Sequence, residues 1–188
     1  MAKAKTLSDK ELKRVLAHIA IGKHPARNRA MLLITHWAGL RVGEVAALLV
    51  GDVLGVDGAI KSEIRLQPEQ TKGRHARTVF VGERLRKELT AYVATLKNPT
   101  PEKPLFYTQK RQGFTANTLC QHFHRLYKEA NIDGASSHSG RRTFITNLAS
   151  KGVGVRVLMA LAGHRNISTT QVYIDVNDEM QRAAVDLV

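Results

Sequence analysis

His138, Arg141, His164 and Tyr173 stand close together in the last third of the chain, in the runs HSGRR, LAGHRN and TTQVY. A phenol can attack phosphorus, and imidazoles and guanidiniums can hold the phosphate oxygens while it does so. Attack on a phosphodiester builds negative charge on the two non-bridging oxygens. A guanidinium offers paired N–H donors to that pattern and keeps its charge at any physiological pH. Two arginines suit the task. Arg141 lies three residues after His138, on the same face of a helix, and Arg41 lies in AGLRVGE, where Gly39 stops one helix and the arginine opens the next. The chemistry these residue types imply is the cutting and rejoining of DNA.

Composition names the same partner independently. The chain has 188 residues, with 29 Lys and Arg against 16 Asp and Glu, a formal charge of +13. Its isoelectric point near 10.2 is the electrostatic footprint of a protein that binds a polyanion. The apolar runs fall short of the roughly 20 residues needed to cross a bilayer, and MAKAKTLSDK lacks the apolar stretch of a secretory signal. The expected location is therefore cytoplasmic and nucleoid-associated. The single cysteine, Cys120, excludes an intramolecular disulfide, and its setting in NTLCQHFHRLY places it on a buried helix face. His122 and His124 are two apart and so point in different directions on a helix, with no cluster to complete a ligand set, so no zinc site is expected. No cofactor is expected either: arginines can do for a phosphate what a divalent cation does in many nucleases.

The elements that must position these residues are mostly helical. Ser8 and Glu11 form a capping box ahead of Leu12, Val15, Leu16 and Ile19, which recur at helical spacing. Pro25 suits the first turn of a second helix, RNRAMLLITHWAG, which is apolar enough to be central and is ended by Gly39. A third helix is predicted through RVGEVAALLV, closed by Gly51. Alternation from Ala59 to Leu66 and from Arg77 to Val81, around the turn QPEQTKGRHA, predicts a β-hairpin. Helical spacing returns in ERLRKELTAYVATL, from Thr115 to Ala130, in HSGRRTFITNLASKG and in VRVLMALAG, with Gly152 and Gly163 as stops, and a short helix is expected from Ser168 to Tyr173. The fold class expected is mainly α with a small antiparallel β-sheet (α+β), in one domain after a short basic lead.

AGLRVGE, TKGRHARTV, HSGRRTF and LAGHRNISTTQVY together resemble, in order and spacing, the catalytic boxes of the tyrosine recombinase, or phage integrase, family, across residues 7 to 176. The resemblance implies that fold for residues 7–173 and a role for each matching residue. Arg41 and Arg141 would clamp the scissile phosphate, and His138 and His164 would hydrogen-bond to it. Lys72 would protonate the departing 5′ oxygen, Tyr173 would become linked to the 3′ phosphate, and Glu44 would support the site. Arg74, Arg77, Arg142 and Arg165 are the further DNA-contacting candidates. The outcome implied is site-specific recombination of double-stranded DNA without cofactor or metal. A relaxing topoisomerase and a DNA-binding regulator that keeps the fold without turnover remain the alternatives.

The family box usually reads His, any residue, Leu, Arg, His; here Gly140 replaces the leucine and Arg142 the second histidine, which predicts looser helix packing near Arg141. Most family members carry a separate N-terminal helical domain, whereas only about 40 residues precede Arg41. The chain thus resembles short single-domain members or an excised catalytic domain. Residues 174–188 carry Asp175, Asp178, Glu179 and Asp186 against Arg182 alone, a net −4 + 1 = −3. Val176, Met180, Ala183, Ala184 and Leu187 share one side of a helix drawn through that stretch. In the family such a tail commonly packs on a neighbouring subunit, which implies a homo-tetramer on two DNA sites; the alternative is a tail folded back on its own subunit.

Overall fold

Ser8 starts the first helix as its sequence dictates. Its hydroxyl accepts from the Glu11 N–H at 3.3 Å, and the Glu11 carboxylate accepts from the Ser8 N–H at 2.9 Å. In the computed structural model, which describes residues 4–174 and 185–186, this box opens α1 (Asp9–Ile21), whose Leu12, Val15 and Ile19 face the core. The acidic tail read as a docking segment lies almost wholly outside the described residues.

Pro25 opens α2 (Pro25–Trp37), which is buried continuously from Ala30 to His36. That run is buried on every side because α1, α5 (Glu83–Val93) and α7 (Ser139–Ser150) all pack against it. Gly39 ends the segment at φ +66°, a left-handed conformation that favours glycine, and a Cβ there would also meet the Phe144 ring at 2.5 Å.

The third helix departs from the expected one. Two short helices, α3 (Val42–Ala46) and α4 (Val50–Val53), replace it, and Gly51 lies inside the second. Between them the backbone turns outward to bond a distant segment: the Leu48 carbonyl accepts from the Leu105 N–H at 2.8 Å, and Leu49 bridges Pro104. Gly51 serves close approach, since a Cβ there would lie 2.9 Å from Pro101.

The hairpin is shorter than its alternation suggests. β1 (Glu63–Leu66) pairs antiparallel with β2 (Arg77–Phe80), Ile64 opposite Val79, while the residues before Glu63 bond to α4 through Lys61 N–H and the Val53 carbonyl at 2.9 Å. After α5 come α6 (Ala116–Glu129), capped by Thr115, then α7, α8 (Val155–Ala162) and α9 (Ile167–Gln171). Tyr173 lies just beyond α9 instead of inside it. The architecture is mainly helical with one two-stranded antiparallel sheet. Cys120, expected to be buried, is half-buried and donates its thiol to Ser137 Oγ at 3.3 Å.

Gly140 reverses the looser packing read from its box. A Cβ there would stand 2.2 Å from Thr35 Oγ1, 3.0 Å from Thr35 Cβ and 3.3 Å from Thr35 backbone carbon, so the missing side chain lets α7 press against α2. Alanine would gain up to about 1 kcal/mol of helix propensity, but the clash falls on the buried Thr35 side chain, whose hydroxyl is held by the Leu32 carbonyl at 2.7 Å. Gly140→Ala is therefore expected to destabilise the fold by about 1–3 kcal/mol net, measured as a lower urea midpoint with unchanged slope.

Candidate active site

Three parts of the chain line one cleft: the hairpin turn, the start of α3, and the connection from α8 to α9, while the α7 residues His138 and Arg141 are outside its lining. The cleft measures about 570 Å³ and is lined by Arg41, Lys72, His75, Arg77, His164 and Arg165 among others. A pocket with this excess of cationic side chains raises the local concentration of anions.

Glu44 is the hub of this charge. It is 1 % exposed, and its carboxylate accepts from Arg41 Nη1 at 2.9 Å and from Arg77 Nη2 at 2.7 Å. The Arg41 N–H also donates to it at 2.8 Å, so the residue that caps α3 is tied to the residue one turn on. Burial alone would raise the pKa of this carboxyl, but hydrogen bonds and charge from Arg77 and Arg41 hold it below the usual carboxylate range.

Arg77, expected to contact DNA, lines the cleft and is also held from behind. Its guanidinium is engaged by both Glu44 oxygens and by the Leu161 carbonyl at 3.1 Å, which joins the hairpin to α8. Periodicity put Arg77 on a strand and gave no sign of a partner from another element.

Arg141 is buried at 6 % exposure and donates to the carbonyls of Gly39, at 2.5 Å, and Ala162. Both carbonyls close helices, so the cation sits where partial negative charge gathers. Burial, then the Arg41 charge, pulls its pKa down to about 9, leaving the guanidinium protonated at neutral pH. Arg41 makes a parallel contact with the Gly163 carbonyl at 3.1 Å.

His164 follows Gly163, whose left-handed backbone (φ +59°) ends α8. Its Nδ1 lies 2.9 Å from Thr170 Oγ1. Burial, followed by the charges of Arg141, Arg41 and Arg77, pushes its pKa down to about 4, so the ring is neutral at physiological pH. Tyr173 stacks on this imidazole with centroids 5.9 Å apart, and the Arg142 guanidinium lies over the phenol at 5.3 Å. Arg142 also donates Nε to Thr6 Oγ1 at 3.2 Å. The tyrosine is half-buried beside the cleft, between the chemistry of α7 and that of α9.

Lys72 is exposed in the hairpin turn and lines the cleft. Thr71 shapes that turn: its hydroxyl donates to the His75 carbonyl at 2.9 Å and accepts from the His75 N–H at 3.1 Å. Arg74, at φ +50°, is exposed at the tip outside the lining residues, while Arg165 is exposed at the cleft wall. His138 is the N-cap of α7, exposed and outside the lining. His75 and Thr170 were not singled out by sequence reasoning. His75 could have been, because it shares the turn with Lys72; Thr170 carries no such signal.

The remaining buried imidazoles serve the framework. His122 lies 3.0 Å from Asn28 Oδ1 and 3.0 Å from Arg125 Nη2, and His36 Nδ1 is buried without a hydrogen-bond partner among the described residues. Burial first pushes both down to about 4, as at His164. Between pH 6.5 and 4 the unfolded chain binds protons that these folded imidazoles refuse, so stability rises with pH across that window. Urea unfolding at a series of pH values is expected to show a loss of stability from pH 6.5 toward 4, and a shallower loss in His36→Leu.

Among known proteins, residues 5–180 match the model of the phage integrase family. Tyrosine recombinase XerA of Pyrococcus furiosus is 26% identical over 185 residues, covering 97% of this chain and 61% of the relative. Tyrosine recombinase XerD of Pseudomonas putida is 32% identical over 181 residues, covering 92% and 57%. The chain thus spans about three-fifths of the length of these relatives. A crystal structure of XerA recombinase superposes with a TM-score of 0.77 at 26% identity, over 100% of this chain and 66% of that one. The Tn1549 transposon integrase, solved in complex with circular intermediate DNA, gives 0.76 at 22% identity, over 99% and 67%.

Proposed function

Because the chain belongs to the phage integrase family, we propose that it is a site-specific recombinase, breaking and rejoining double-stranded DNA through a covalent 3′-phosphotyrosine on Tyr173. The observation that carries this reading is the stacking of Tyr173 on His164, which lines a cleft where Arg41 and Arg77 are fixed by a single buried carboxylate.

The phenol gives up its proton to solvent as its oxygen attacks phosphorus, the bond to the 5′ oxygen breaks, and Lys72 hands that oxygen a proton. Arg41 and Arg141 neutralise the charge that grows on the non-bridging oxygens, assisted by His164 and, from the α7 N-cap, His138. Donors already in place where the charge develops lower the barrier most. Rejoining is the reverse: a 5′ hydroxyl attacks the phosphotyrosine and the phenol leaves. One phosphoester replaces another at each step, so the exchange consumes no nucleotide. Arg74 and Arg165, exposed near the cleft, would contact the DNA backbone.

The proposed assembly is four protomers on two duplexes, linked through the acidic segment after Tyr173. Comparing DNA-bound assemblies of the full chain and of one ending at residue 174 tests it, and equal tetramer formation would refute the link.

The activity is tested by incubating the chain with nicked DNA duplexes carrying a randomised segment and recovering DNA that stays with protein through SDS. A recovered sequence family that rejoins when a 5′ hydroxyl strand is supplied supports recombination. A chain that binds the same duplexes without an SDS-stable adduct would instead be a regulator.

A further inference from the structure

His164 is useful to a phosphate only if its single ring proton is on the nitrogen that reaches the cleft. A neutral imidazole has one donor and one acceptor, and the bond made by one nitrogen decides which is which. Burial and the surrounding arginines keep this ring neutral at physiological pH, so the tautomer matters.

Thr170 holds the other nitrogen. Its side chain is fully buried on α9, and its Oγ1 lies 2.9 Å from His164 Nδ1. Among the described residues this is the one hydrogen bond of that hydroxyl. If Nδ1 carried the proton and donated, the hydroxyl proton would be left in the interior without an acceptor, a cost of about 1–3 kcal/mol. If the hydroxyl donates, both groups are satisfied and the imidazole proton moves to Nε2.

We propose that Thr170 is a positioning residue: its hydroxyl donates to His164 Nδ1 and fixes the Nε2–H tautomer, aiming a proton donor at the phosphate in the cleft. This rests on the reading of His164 as a phosphate contact. It also accounts for the spacing between His164 and Tyr173. The loop from Gly163 to α9 must bring a buried hydroxyl under the imidazole before it presents the phenol, and Thr170 and Tyr173 lie one helical turn apart on the same face. The Tyr173 N–H, bonded to the Thr170 carbonyl at 3.0 Å, ties the tyrosine backbone to the same residue.

Ring ¹⁵N shifts of His164 in the full chain at pH 7.5 read the tautomer directly and need neither DNA nor a variant. The expected state is Nε2–H in the wild type, a shift toward Nδ1–H or a mixture in Thr170→Val, and a return to Nε2–H in Thr170→Ser. On the nicked duplex recovered by adduct capture, Thr170→Val should cleave about tenfold or more slowly, as when the partner orienting a functional histidine is removed, with unchanged DNA affinity, and Thr170→Ser should restore the rate. An Nδ1–H wild type, or a tautomer indifferent to Thr170→Val, overturns the proposal. Should Thr170→Val change the tautomer but not the rate, His164→Ala decides where the failure lies. A slow His164→Ala sinks the Thr170 role alone, and a fast one sinks the reading of His164 as well.

Discussion

Tyr173→Phe is expected to bind DNA as the wild type does and to form no covalent adduct. The phenylalanine ring keeps the stack on His164 and the contact beneath Arg142, both of which involve the face of the ring. Stability should therefore change by no more than about 0.5 kcal/mol. The cationic cleft is untouched, so the salt dependence of binding, set by the number of phosphates neutralised, should be the same. What disappears is the oxygen proposed to attack phosphorus. The check is a pair of measurements on one duplex: a binding isotherm at several salt concentrations, and the yield of SDS-stable protein–DNA complex. A wild-type adduct yield from Tyr173→Phe would mean that another side chain is the nucleophile.

Glu44→Gln should cost the fold about 3–5 kcal/mol, a large part of the 5–15 kcal/mol typical of a domain. The carboxylate is 1% exposed and balances two guanidiniums. A glutamine leaves both cations without their counter-charge and turns an amide N–H₂ toward them. The surface pair Lys87–Glu83, 77% and 71% exposed, is the contrasting case, and Glu83→Gln should cost less than about 1 kcal/mol. Urea unfolding of both variants at neutral pH measures the difference. Acid separates them further. The Glu44 pKa is depressed on folding, so its contribution is complete above the ordinary glutamate range and is lost as pH falls through its lower folded value. Glu44→Gln should lack that limb of the acid unfolding curve. Where the variant remains folded, cleavage should also slow, because Arg41 loses the bond that aims it. Equal stability of Glu44→Gln and wild type would remove the hub from the account.

Much of this was legible in the sequence, and the reasons are local. Ser8 with Glu11, Thr115 before α6, Pro25 and Gly163 each announce a helix end through chemistry within four residues. Local sequence is silent where a distant partner decides the outcome. Nothing near Leu48 and Leu49 foretells that Leu105 and Pro104 will draw them out of a helix. Arg77 reads as a surface strand residue because Glu44, its partner, sits on another element, and Gly140 reads as a deletion until Thr35 is seen against it. Within the site, residue types and order were enough to nominate Arg41, Arg141, His164 and Tyr173. The hydroxyl of Thr170 was invisible because TTQVY gives no hint of which threonine turns inward.

Family membership, charge and geometry all bear on a single bond, between the Tyr173 oxygen and phosphorus. The direct test is to trap the wild-type chain on the recovered nicked duplex, digest protein and DNA, and identify by mass spectrometry the peptide that carries a nucleotide. The expected result is a 3′-nucleotide on the peptide containing Tyr173, fragmenting at the tyrosine. A nucleotide on any other residue, or a strand cut with no nucleotide left on the protein, would contradict the account.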